Sequence, residues 1–251
     1  MVRAIKLGLL SIVFGMLFSC ASVDSDDPTE GLNAAEIYEF ASEYLKEGNY
    51  EQAIAYYERL ESRFPYGKYA ERAQMEIAFA YYKDSEPESA IVAANRFIKL
   101  HPDHDNVDYM YYLRGLASYD LSESFLDSLF NVDPSQHDPK SARRAFEYFA
   151  QLIKKYPKSR YAKDAIERMT LIRNNLALYE VHVATYYMRR GAFLAAANRG
   201  KYVVENYQRT PALADALAIM AEAYEKLGMT DLAEDAKKVL KLNHPDHKSL
   251  K

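Results

Sequence analysis

An all-helical solenoid, built from five copies of one helix pair, is the fold class that three features of this 251-residue chain predict. The body is rich in Ala, Leu, Tyr, Glu and Lys, with few Gly and Pro. It lacks the apolar–polar alternation of strands, so helices fit its composition. Small residues and prolines also recur in one register, with units closing at Pro65, Pro102, Pro157, Gln208 and Pro245. The separations are 37, 55, 51 and 37, so a 37-residue period runs throughout and two units carry 18 and 14 extra residues.

Each unit reads as two antiparallel helices of the tetratricopeptide (TPR) kind. The first has Ile37, Phe40, Ala41 and Tyr44, a Gly48-Asn49-Tyr50 turn, then Ala53, Tyr57, Leu60 and Pro65. The second has Ile77, Ala78 and Tyr81, then Ala90, Ala94, Phe97 and Pro102. The third closes with Ala145, Phe149, Leu152 and Pro157. The fourth has Val183, Ala184 and Tyr187, a turn at Gly191, then Ala196 and Val203; the fifth has Met220, Ala221, Tyr224, Gly228, Ala233, Leu240 and Pro245. Packing explains the pattern: Ala at a close crossing lets two helix axes approach, and flanking aromatics fill the gaps. The units fall at about 34–67, 71–104, 108–159, 177–210 and 214–247, inside an array spanning 34–251.

The 18 extra residues lie between Gly115 and Ala145 and include Phe125, Leu126, Leu129, Phe130 and Val132. Such an apolar insertion either folds back on the array or meets a partner. The 14 extra residues fall in Tyr161–Arg190, which holds no Gly or Pro. Either one long helix of about 45 Å runs there, or two helices share a bend.

The N-terminus sets the compartment. Arg3 and Lys6 precede an apolar run from Leu7 to Phe18, a secretory-signal layout too short to span a bilayer as a helix. The run ends in Leu17-Phe18-Ser19-Cys20, which resembles a lipobox, so residues 1–19 are expected to be cleaved and Cys20 lipidated. Cys20 is the only cysteine, so no disulfide forms within the chain. Residues 20–33, with Asp24, Asp26, Asp27, Pro28, Glu30 and Gly31, read as a flexible, solvated tether. The formal charge of −4 becomes −6 after cleavage, giving little electrostatic reason to bind nucleic acid.

No nucleophile–base pattern, zinc-protease motif or phosphate-cradling glycine loop appears, so neither an enzyme nor a bound cofactor is expected. Two His-Pro-Asp-His runs, His101–His104 and His244–His247, occupy the same place in their repeats; repeat ancestry explains them without a metal, and His182 reads as packing or surface. The repeat register puts a second set of side chains on the concave face formed by the first helices: Tyr38, Leu45, Met75, Phe79, Tyr82, Tyr109, Tyr112, Leu116 and Tyr119, with Lys46, Lys83 and Arg72 nearby. An aromatic groove with basic residues suits an extended peptide that ends in a carboxylate.

Four stretches are more specific than the repeats: R-F-P-Y-G-K-Y at Arg63–Tyr69, D-Y-M-Y-Y-L-R-G-L at Asp108–Leu116, the run from Asp138, and Y-Y-M-R-R-G-A at Tyr186–Ala192 with Asn198-Arg199. With the lipobox and both insertions, the chain resembles the BamD family of the outer-membrane β-barrel assembly machinery. The resemblance implies an outer-membrane lipoprotein at the periplasmic face. It would bind the POTRA region of BamA and other assembly lipoproteins, and receive unfolded barrel precursors. A precursor end offers a ring and a carboxylate, for which Tyr38, Phe79, Tyr82 and Tyr112, and Lys46, Arg72 and Lys83, are the candidate receivers. Arg199 matches an arginine used at the BamA contact, and Arg199→Glu is expected to weaken that contact with the fold intact. The alternative is another periplasmic TPR lipoprotein, such as a pilotin for secretin or pilus assembly, but such proteins lack the insertion after Gly115.

Overall fold

In the computed structural model, residues 27–120 and 139–250 are described. Ten α-helices run in order among them: α1 (Ala34–Lys46), α2 (Tyr50–Arg63), α3 (Lys68–Lys83), α4 (Pro87–Leu100), α5 (Val107–Asp120), α6 (Pro139–Lys155), α7 (Ala162–Arg189), α8 (Phe193–Asn206), α9 (Leu213–Lys226) and α10 (Thr230–Asn243). A 3-10 turn, Lys248–Leu250, follows. Each helix packs mainly on its chain neighbours, as a solenoid requires. No helix among the described residues is long and apolar enough to cross a membrane. Cys20, the signal segment and the insertion's Phe125, Leu126, Leu129, Phe130 and Val132 lie outside the described residues.

Local sequence sets the helix ends. Asn33 caps α1 by accepting from the Ala35 and Glu36 amides, and the Glu36 carboxylate accepts from the Asn33 amide in return. Asn49 caps α2, and Pro87 opens α4, where its missing N–H costs no helical bond. The turns inside the hairpins need a left-handed residue: Gly48, Gly191 and Gly228 supply it at φ 79°, 72° and 72°. Ser85 holds the same position in the second hairpin at φ 62°.

The crossings are built as the register predicts. Ala41, Ala53, Ala78, Ala90, Ala94, Ala145, Ala184 and Ala196 are fully buried, and Tyr57, Phe97, Phe149, Leu60 and Leu152 fill the gaps around them. Two glycines take the closest approaches. A methyl on Gly115 would lie 2.5 Å from the Phe149 ring, and one on Gly200 would lie 2.9 Å from the Ala216 carbonyl oxygen. Phe40 departs from the expected core, being 44% exposed and leaning on Tyr56 at 6.2 Å between ring centroids.

Tyr161–Arg190 resolves into one uninterrupted helix. α7 has 28 residues, about 42 Å of rise, and packs on α6, α8 and α9. Of the tether expected over residues 20–33, the described part, residues 27–33, is folded. Asp27–Asn33 is folded onto the first hairpin because Thr29, fully buried, hydrogen-bonds on both sides. Asp27 accepts from the Thr29 amide and hydroxyl at 3.0 and 2.8 Å. The Arg63 guanidinium donates to the Thr29 carbonyl, to its hydroxyl at 3.0 Å and to the Leu32 carbonyl at 3.3 Å. Arg59 pairs with Asp27 at 3.4 Å, and the Thr29 amide holds the Asp27 carboxyl below its ordinary range.

The histidine runs are structural in their contacts. His101 bonds the Gln74 amide oxygen at 2.8 Å, and its ring packs on Phe97, as does that of His104. His247 meets Asp215 at 3.2 Å. Among the described residues no group of three or more His, Cys, Asp or Glu side chains is placed to hold a metal ion.

Candidate interaction surfaces

The helical period puts Tyr38, then Arg72, Glu76, Phe79 and Tyr82, then Tyr109 and Tyr112 on successive first helices α1, α3 and α5. The solenoid brings these rows together. Tyr38 lies 5.5 Å from Tyr57 and 5.7 Å from Tyr69, ring to ring. Phe79, Tyr82, Tyr109 and Met75 pack together over Ala78, Ala94, Phe97, Met110 and Leu113. The start of α7 then closes the row: Tyr161 stacks on Tyr112 at 4.7 Å with 14° between planes, and also meets Tyr109 at 5.5 Å. The result is a half-buried aromatic floor across the first three hairpins and the foot of α7.

Carboxylates thread this floor. Tyr112 donates its hydroxyl proton to Asp164 at 2.6 Å, and Arg168 donates to the same oxygen at 2.6 Å. Burial first, and then the hydrogen bond to Asp164, push the Tyr112 phenol up to about 12. Tyr82 is likewise pushed up to about 12 by burial and by its hydrogen bond to Asp120. Glu76 sits among Tyr38, Tyr57 and Tyr109, and burial raises its carboxyl although Arg72 opposes the shift. The phenols therefore stay protonated donors throughout the physiological range.

Tyr38, Phe79, Tyr82 and Tyr112 thus share one surface, and Arg72 joins them beside Glu76. Arg168 is paired with Asp164 at 2.6 Å, whereas Arg72 is exposed and acts on Glu76 only by opposing its upward shift. Lys46 and Lys83 lie apart from that pairing, exposed in the last turns of α1 and α3. Sequence reasoning missed Glu76, Asp164 and Arg168, since a charged residue on a helix reads as solvated until its neighbour across the groove is known.

The second surface centres on Arg199 of α8. Its guanidinium donates to the Glu180 carboxylate of α7 at 2.8 Å, and Arg143 of α6 donates to the other oxygen at 3.3 Å. Glu180 is 1% exposed, whereas the Arg143 and Arg199 side chains are 46% and 43% exposed. The Glu180 hydrogen bond raises the Arg199 guanidinium further above its ordinary value. Burial pushes the Tyr207 phenol up, and the nearby Arg143 guanidinium opposes that shift.

Arg114, from the D-Y-M-Y-Y-L-R-G-L stretch, is buried between the Tyr111 and Tyr148 rings at 4.3 and 4.5 Å. It donates to the Asn95 and Gln151 amide oxygens at 2.8 and 2.7 Å. That arrangement ties α4, α5 and α6 together.

Comparison with known proteins supplies what geometry does not. Residues 31–240 match the YfiO family, described as outer membrane lipoprotein. The chain is 43% identical over 242 residues to the outer membrane protein assembly factor BamD of Neisseria meningitidis, covering 94% of this chain and 91% of that protein. The BamD of Xylella fastidiosa is 38% identical, with 98% and 84% covered, and that of Vibrio cholerae is 37% identical, with 94% and 96% covered. Among solved structures, MamA superposes with a TM-score of 0.40 at 15% identity, covering 86% of this chain and 95% of that one. The pilus biogenesis factor PilW does so with a TM-score of 0.37 at 17% identity, covering 86% and 96%. Both superpositions are loose.

Proposed function

This chain belongs to the YfiO family of outer-membrane lipoproteins, and we propose on that footing that it serves outer-membrane protein assembly, for which its BamD relatives are named, as a scaffold rather than an enzyme. The observation that carries the reading is similarity spread over nearly the whole chain rather than over the generic repeat positions alone. In this reading Cys20 carries the lipid that holds the protein at the periplasmic face of the outer membrane. The first-helix floor takes unfolded barrel precursors, and Arg199 takes the POTRA region of BamA, with other assembly lipoproteins alongside. Intact-mass analysis of the native protein should find lipid on Cys20 as the mature N-terminus; an unmodified Cys20 refutes the anchor.

The floor suits a peptide end in a particular way. Phe79 and Tyr82 offer a half-buried apolar seat for a terminal ring. Arg168 already pairs with Asp164, so the exposed Lys46, Lys83 and Arg72 are the candidates for the terminal carboxylate. A peptide from a barrel C-terminus should crosslink near Phe79 or Tyr82, and amidating its end should weaken it. Truncating a seated ring typically costs ~2 kcal/mol, so Phe79→Ala should lower affinity about thirtyfold. Crosslinks confined to residues 121–138, with Phe79→Ala binding normally, would move the client site to the insertion.

For the BamA contact the clean variant is Arg199→Gln. Arg199→Glu, expected from sequence to spare the fold, sets a second carboxylate beside buried Glu180 and so disturbs packing as well as binding. Unchanged capture of BamA by Arg199→Gln refutes this contact.

A further inference from the structure

Resting on the partner contact read at Arg199, we propose that Arg143 is its second arm and that Glu180 is the positioning residue for both, so that the surface receives a carboxylate of the partner. The geometry is a buried acid under two outward guanidiniums. Glu180 stands on α7, and one of its oxygens receives Arg143 from α6 while the other receives Arg199 from α8. Both arginines are therefore fixed within a few ångströms of each other, where two like charges would otherwise repel. One carboxylate against two guanidiniums leaves a local charge of +1.

Each arginine uses part of its fork on Glu180. A guanidinium has five N–H donors, and the Glu180 contact takes one from Arg143 and one from Arg199. With side chains 46% and 43% exposed, both forks reach the surface. A planar, pre-set pair of forks suits a carboxylate on the facing surface, which would restore charge balance over the buried acid.

The test uses the intact lipoprotein in detergent, titrated with the purified BamA POTRA region at low and at moderate salt. Arg143→Gln and Arg199→Gln should each weaken binding about tenfold or more, and each should flatten the salt dependence. Glu180→Gln raises the local charge to +2, so simple attraction would tighten binding to an acidic surface. A positioning role demands the reverse, a loss of affinity. Should Glu180→Gln fail to fold, Arg143→Lys decides: it keeps the charge but loses the fork, and should still weaken binding. Wild-type affinity for Arg143→Gln beside a weakened Arg199→Gln overturns the two-armed site and leaves the Arg199 contact standing. Wild-type affinity for both overturns the Arg199 contact as well. Tighter binding by Glu180→Gln overturns the positioning role.

Discussion

Adding one methyl group at Gly115 tests the packing of α5 on α6. Its Cβ would sit 2.5 and 2.6 Å from two Phe149 ring carbons and 3.1 Å from a third. Those distances are well inside van der Waals contact, and Phe149 is fully buried, so the ring has no solvent to swing into. Overpacking of this kind costs ~1–3 kcal/mol. Replacing a mid-helix Gly by Ala returns up to ~1 kcal/mol of helix propensity. At 2.5 Å from a buried ring the clash falls at the upper end of that range and wins, leaving a net loss of ~2 kcal/mol. Units of a solenoid are coupled to their nearest neighbours, so amide exchange in α5 and α6 should accelerate before exchange in α9 and α10. Urea unfolding of Gly115→Ala measures the total. Phe149→Leu should recover part of the loss in the double variant, because the smaller side chain makes room for the methyl. A Gly115→Ala protein as stable as wild type, or a Phe149→Leu background that deepens the loss, refutes the account.

Three further perturbations probe other parts of the fold. Ser85→Gly should raise stability by ~0.5–1 kcal/mol in urea unfolding, because a left-handed non-glycine residue costs ~1–2 kcal/mol and glycine's added chain freedom offsets only part of the relief. Arg63→Ala should free Asp27–Asn33 from the first hairpin, seen as protease cleavage near Thr29 while the far-ultraviolet spectrum is unchanged; resistance equal to wild type counts against the clip. Glu76 has its carboxyl raised by burial, so its protonated form favours the folded state and that contribution is lost as pH rises through the raised value. Glu76→Gln should therefore stabilise the protein at neutral pH, with the gain vanishing below about pH 4. An identical gain at both pH values would place the effect in packing.

The repeat was legible because it is written in Ala, Tyr, Gly and Pro, residue types whose geometry is locally determined. Ala41, Ala78 and Ala184 read as crossings and are buried as crossings. Ser85 escaped notice because serine carries no sign of a left-handed turn; its 37-residue offset from Gly48 was the available clue. Long-range polar pairs left no trace at all. Tyr112 meets Asp164 across 52 residues, and Glu180 looks like one more solvated helix charge until α6 and α8 close over it. Thr29 was hidden for the same reason, since its partner Arg63 lies 34 residues on. Position within a repeat predicts what a side chain packs against in its own hairpin, and says little about what reaches it from two hairpins away.

The unbroken run of α7 has a mechanical meaning. Asp164, near one end, belongs to the aromatic floor, and Glu180, sixteen residues on, belongs to the arginine pair. About 24 Å of helix separates them, with no glycine or proline to serve as a joint. The two surfaces are mounted on one stiff beam. A tilt of about 10° about its foot would carry the Glu180 end sideways by about 4 Å, more than the length of a hydrogen bond. A movement of the floor that tilted α7 would reach the far surface through the helix itself, with no relay of side chains between them.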